Sequence, residues 1–490
     1  MTLLRRVWII FCTLGGAVLG TAIAFFIGSL NITVLIIGAL TGGLLWGFLW
    51  WRQWRALKTG KRILAHRLKL ALIAVPLILA GLFATGSLYA LYSAGQILVP
   101  LESYTANFDR LWRAVRDNYP YFDLKGVDWD AARARYQPQV DTCASDIEYR
   151  DIVASMLAEL NDGHTDIAEP FPAFVWQFGT LRAVGDQTVI AEIGQVGQDA
   201  GLAPGDVVLS INGRSVDDAI SALPPRLRVG STSWNSRAWA LQNIFTLWGD
   251  ARSMRVTVRD VNERERTVTL EAPTQPEHIE DTMPIITGER LPSGFGLIRI
   301  PRFYGSGRAI MVGEFDAVLD SLADAPGIII DVRGNDGGSS LTASEMAGRL
   351  LAGDFNYARE YYRQRLPSRM WLGVGERMVY PRAPQYTGRI VLVIDERVMS
   401  SGEEFVLMLA DSGRAQTVGR TTAGSSGNPL VFPLAGGAVA RFSSGDLRRI
   451  SGERLEGAGI TPDIPVIWTI DDVRTGHDPD ISAAEALLSR

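Results

Sequence analysis

A hydroxyl that attacks needs a base to take its proton and N–H groups to hold the charge that develops. Ser400 and Ser401 fall between the apolar run 390–394 (IVLVI) and the stretch 403–410. The run is short, β-branched and bounded by turn formers, so it reads as a buried strand. The stretch after it reads as a buried helix, with Glu403 and Glu404 in a first turn whose dipole favours acids. Strand, tight turn, serine and helix together hold a nucleophilic hydroxyl beside helix-terminal N–H groups. The same two serines would also suit a plain helix cap.

Few side chains can serve as the base. Arginine stays protonated. Beyond Lys69 the only lysine is Lys125, in YFDLKGVDWD beside Asp123 and Asp128. Nearby acids favour its charged form, the opposite of what a base needs, and substituting it should leave turnover nearly unchanged. His278 lies in a PEHIE loop and His477 in a polar tail, both suited to solvent. His164 follows a helix end in NDGHT (161–165), where Asn161, Asp162 and Gly163 stop the helix and expose the ring. Such a place suits function, or a turn residue without a role. An unperturbed imidazole titrates near pH 6–7, so activity is expected to rise there.

For the oxyanion, Gly337 and Gly338 in RGNDGGSS (333–340) can bring bare backbone close to a substrate. The N–H of Ser401 would be the second donor; an ordinary glycine-rich turn has the same composition. No GK[ST] or GxGxxG follows, so this is not a phosphate loop. The four histidines are scattered and the two cysteines, Cys12 and Cys143, lie far apart. Neither a metal site, a disulfide framework nor a cofactor is implied.

The elements that must position these residues change character along the chain. Residues 102–160 read as helices, with apolar side chains at three- and four-residue spacing. Residues 173–272 show alternating strand patterns, interrupted by a partly helix-like stretch, 217–248. AGLAPGDVVLSINGRSV, with Ala200 and Gly201 before a Pro-Gly-Asp turn, resembles a PDZ segment. PDZ domains add a peptide strand to a sheet edge. From about 294, short apolar strands (FGLIRI, GIIIDV, IVLVI) alternate with helical stretches, the mark of a largely parallel α/β layer. In such sheets ligands sit at the C-terminal strand ends, where 333–340 and 396–403 fall.

Three apolar runs open the chain, at about 7–30, 32–51 and 70–91, each roughly the 20 residues that span a bilayer. The basic link between the second and third puts the N-terminus in the cytoplasm and everything after about Gly95 outside it. Trp46, Trp50, Trp51 and Trp54 suit an interfacial belt. Residues 1–100 hold nine Lys or Arg and no acid, against −5 for the whole chain, leaving −14 on the remainder. That acidic body argues against a nucleic-acid partner.

Taken in order, NDGHT, the PDZ-like segment, DVRGNDGG, SSGEE…DSGRA…VGRTTAG and LEGAGITPDIPV resemble the C-terminal processing (tail-specific) serine proteases over about 102–468. Ser400 matches the family nucleophile, followed at the third position by Glu403 and at the eleventh by Asp411. The processing branch carries its catalytic lysine in TFGKG; the matching segment is TAGSS, with Ser425 at the lysine position. The chain looks instead like the tricorn-core branch, whose helical N-terminal segment ends in a loop bearing the catalytic histidine, which matches His164. A glutamate before the closing G-x-x-PD completes that relay and matches Glu456. The serine before the branch's histidine is Gly163 here, with Thr165 a candidate to replace it.

The resemblance implies an α/β protease core (280–470) with a PDZ-like β-rich insert (173–273) and a helical subdomain (100–170), and the apolar runs place three transmembrane helices (1–95) before it. Together they lead us to expect a membrane-anchored serine endopeptidase acting on peptide or protein substrates outside the cytoplasm. Ser400 would attack, His164 carry the proton, Glu456 orient the imidazolium, and Gly337, Gly338 and Ser401 hold the oxyanion. A non-catalytic ligand- or peptide-binding protein on the same fold is the alternative.

Overall fold

The structure, a computed structural model, describes residues 102–169, 174–273, 286–304, 307–363 and 371–490. Its centre is a six-stranded sheet in the spatial order Thr287–Arg290, Gly296–Arg299, Gly327–Asp331, Arg389–Ile394, Gln416–Gly419 and Ile464–Pro465. The first pair is antiparallel and the others are parallel. Helices on both faces make the strands continuously apolar, because side chains alternate and neither side meets water. Ile328, Ile330 and Leu392 pack toward Met311, Phe315, Met346 and Phe405. Ile329, Val391 and Val393 face the other way, onto Leu487 and Leu488 of the helix Pro479–Leu488. The core therefore draws on chain beyond 470.

The helical part forms as its spacing predicts. Tyr104–Asn118, Trp129–Thr142 and Asp146–Ala158 begin at Ser103, Asp128 and Ser145, whose side chains accept N–H groups of the first turn. Their shared core of Phe108, Leu111, Val115, Ile152 and Met156 is completed by Phe432, Leu434 and Phe442, from two strands and the turn between them nearly 300 residues later in the chain. Val439–Phe442 pairs antiparallel with Asp166–Glu169, which follows the NDGHT loop. That pairing ties the histidine loop to the late chain.

The insert is an antiparallel sheet with Gly179–Val184 at one edge. The interrupting stretch folds into it: the helix Ser233–Asn243 lies along that edge strand and buries Leu241 with Phe178, Ile190 and Val256. Between edge strand, helix and core lies a cavity of about 600 Å³ lined by Leu181, Arg182 and Trp234.

One expectation is corrected. Among the described residues no helix is long and apolar enough to cross a membrane. The longest, Tyr104–Asn118, has 15 residues; at 1.5 Å each it covers about 22 Å of a hydrocarbon core about 30 Å thick. The runs 7–30, 32–51 and 70–91 themselves lie outside the described residues. On that finding the fold class is stated without the three transmembrane helices, and the bilayer partner and the integral-membrane location are not carried forward.

Candidate active site

The parallel strands Gly327–Asp331 and Arg389–Ile394 end side by side, and the loops leaving them meet. Ser400 ends the second loop with φ 56° and ψ −129°, a region that costs a side-chain-bearing residue about 1–3 kcal/mol. Its N–H donates to Ser425 O at 2.8 Å. Its hydroxyl makes no capping bond to the helix Ser401–Ala410. Ser401 Oγ is buried without a hydrogen-bond partner among the described residues. Neither serine is a cap, which removes the plainer of the two sequence readings.

The glycine loop is shaped around Ser400. A Cβ on Gly337 would lie 2.6 Å from Ser400 Cβ, and one on Gly338 would lie 1.8 Å from Phe303 O. Both backbones also take positive φ, so only glycine fits. The N–H of Gly337 is taken by Asn335 Oδ1 at 2.9 Å. Gly337 therefore contributes its lack of a side chain, not a donor. The N–H groups of Gly338 and Ser401 have no partner among the described residues and remain for an oxyanion.

His164 is 5 % exposed. Its loop is fixed by Asp162, whose Oδ1 accepts His164 N–H at 2.8 Å and whose Oδ2 accepts Thr165 Oγ1–H at 3.0 Å. Burial holds the imidazole down at about 4, with Asp162 pulling the other way. The ring is thus neutral near pH 7, as a base must be. His164 and Ser400 line one cavity of about 1110 Å³, together with Gly338, Met399 and Arg441.

Two expected partners of His164 are elsewhere. Thr165 is committed to Asp162 and to the N–H of Ser443 at 3.2 Å. Glu456 Oε2 accepts Ser426 N–H at 2.9 Å and Oε1 pairs with Lys125 Nζ at 2.8 Å, so both oxygens are spent away from the ring. The side chain on His164 Nδ1 is Ser425, with Oγ at 3.1 Å. The sequence named Ser425 only as the place of an absent lysine; no local pattern marks a hydroxyl 261 positions from its partner. Burial pushes Glu456 up to about 8, with Asp162 adding to the shift and Lys125 opposing it. Glu403, three residues after Ser400, clamps the same segment by accepting the N–H groups of Gly424 and Ser425. Burial carries Glu403 up to about 7 against those bonds.

Lys125 also differs from expectation. Its partners are Glu456 and Ser231 O at 2.8 Å, with 8 % of its side chain exposed, rather than the flanking Asp123 and Asp128. Removing Lys125 takes a hydrogen-bond donor from a buried oxygen of Glu456, which costs about 1–3 kcal/mol. Lys125→Ala is therefore expected to destabilise by that amount in denaturant unfolding. An unchanged unfolding midpoint and slope would show the pair to be solvated. His477 is tied to Asp472 at 2.7 Å on the surface, and His278 lies outside the described residues.

Residues 294–466 match the family model described as Peptidase family S41, and residues 100–158 match the Tricorn protease C1 domain. The chain is 25 % identical over 411 residues to "Putative tricorn protease homolog 2" of Streptomyces coelicolor, covering 79 % of this chain and 32 % of that protein. It is 22 % identical over 422 residues to "Tricorn protease homolog 1" of the same organism, covering 80 % and 36 %. The chain thus spans about a third of the length of these curated relatives. Among solved structures, mature CPAF aligns with a TM-score of 0.63 at 15 % identity, over 79 % of this chain and 97 % of that one. At that identity the likeness concerns the fold.

Proposed function

We propose that the chain, whose residues 294–466 match Peptidase family S41, is a serine peptidase working by acyl transfer through Ser400. Ser400 Oγ attacks a peptide carbonyl carbon, and His164 takes the hydroxyl proton. With Nδ1 on the Ser425 side, Nε2 is the nitrogen left for that proton. The N–H groups of Gly338 and Ser401 receive the oxyanion. When the intermediate collapses, the imidazolium gives its proton to the leaving amine, and water releases the acyl group by the same route.

The observation that carries this reading is a serine in a strained turn, with no capping bond, sharing a cavity with a buried neutral histidine. A residue held at that backbone energy without a structural bond from its hydroxyl calls for a functional explanation. A fluorophosphonate probe is expected to label the folded protein once, on the peptide containing Ser400. A protein that only binds ligands on this fold would stay unlabelled, and that result would sink the proposal.

A further inference from the structure

We infer that Ser425 is the positioning residue of this site, its hydroxyl accepting Nδ1–H of His164 while its carbonyl accepts N–H of Ser400. The inference rests on the reading of Ser400 and His164 as nucleophile and base. The two bonds measure 3.1 Å and 2.8 Å, and both come from one residue with 0 % of its surface exposed. A ring that receives a proton on Nε2 must carry its other proton on Nδ1, so the Nδ1 partner has to accept. The Ser425 hydroxyl can accept, and it does so without placing a negative charge against the ring.

The segment is built to keep that oxygen still. Gly424 N–H and Ser425 N–H donate to the two oxygens of Glu403, at 2.8 and 3.0 Å. Ser426 N–H donates to Glu456 at 2.9 Å. Tyr121 Oη lies 2.6 Å from Ser426 O. Three successive N–H groups are thus held by two buried carboxylates, and the residue between them spans nucleophile and base. A displacement of about 1 Å in such a pair can cost a hundredfold in rate.

Gly163 supplies an independent observation. Its backbone is outside the left-handed region, so no conformational demand selects glycine. Instead, a Cβ there would lie 2.8 Å from Ser425 Oγ, while its other neighbours, Met399 Cε and Ser231 Oγ, stand at an ordinary 3.6 Å. A side chain at 163 and the Ser425 hydroxyl would therefore compete for the same space.

The test is a swap in the full chain. Ser425→Ala is expected to lower kcat about 10- to 100-fold with KM nearly unchanged. Gly163→Ser alone is expected to lower kcat through crowding. The double variant, Gly163→Ser with Ser425→Ala, is expected to recover most of the loss. As a readout independent of turnover, the ring-nitrogen NMR shifts of His164 should report an Nδ1–H tautomer in the parent, mixed tautomers in Ser425→Ala and the parent pattern again in the double variant. A folded Ser425→Ala protein with parental kcat and ring shifts, or a double variant no better than Ser425→Ala, would overturn the inference. Retained turnover in Ser400→Ala would instead overturn the acyl-transfer reading beneath it.

Discussion

Ser400→Ala is expected to reduce peptide hydrolysis by several powers of ten, toward the roughly million-fold loss seen when a serine nucleophile is removed. The change deletes the attacking oxygen and leaves the cavity, His164 and the two free N–H groups in place. KM should therefore move little while kcat collapses, because binding and oxyanion contacts survive. Stability offers a second readout. Ser400 sits at φ 56°, where glycine is unstrained. Ser400→Gly should abolish turnover as Ala does, yet unfold at a higher midpoint, since relieving about 1–3 kcal/mol of strain outweighs the entropy of a single glycine. Turnover within tenfold of the parent in both variants would remove Ser400 from the mechanism.

His164→Ala should be nearly as damaging, and the parent's pH profile should name the base. The active form needs a neutral ring. Burial disfavours the imidazolium and puts the transition at about 4, so kcat/KM in the free enzyme should rise with pH through about 4 and be level by pH 6. A transition at 6–7, the sequence expectation, would mean that Asp162 outweighs burial. The stability signs are opposite for the neighbouring acids. The folded pKa of His164 lies below its unfolded value of about 6.5, so its contribution is full above that pH and is lost as pH falls toward 4. Glu403 and Glu456 are raised to about 7 and 8. Their contribution is present below an unfolded value of about 4.3 and is lost as pH rises through 7 and 8. An acid limb unaltered in His164→Ala, with turnover intact, would exclude the ring as base.

Much of the site was legible because its parts are local. A β-branched run, a turn and a helix predict where Ser400 stands, and eliminating other bases leads to His164. The family was legible from motifs in order. What could not be read is side-chain partnership across long separations. Ser425 looked like a missing lysine rather than a hydroxyl on Nδ1, and Lys125 was judged by its sequence neighbours when Glu456, more than 300 positions away, is its partner. Gly337 was expected as an oxyanion donor from composition, but Asn335 takes its N–H. Hydropathy predicted spanning helices in runs that lie outside the described residues, and among the described residues no helix is long and apolar enough to cross a membrane.

The core of the first three helices is closed by Phe432, Leu434 and Phe442, which a ribosome delivers long after His164. While the chain is being made, the helices have their apolar faces but not the strands that cover them. The histidine loop likewise lacks Val439–Phe442 alongside and Ser425 behind the ring. Closing contacts of such sequence separation is slow, and here it waits for residues 425–442. A nascent chain of this sequence therefore holds Ser400 and His164 without the segment that joins them until residues 425–442 have emerged.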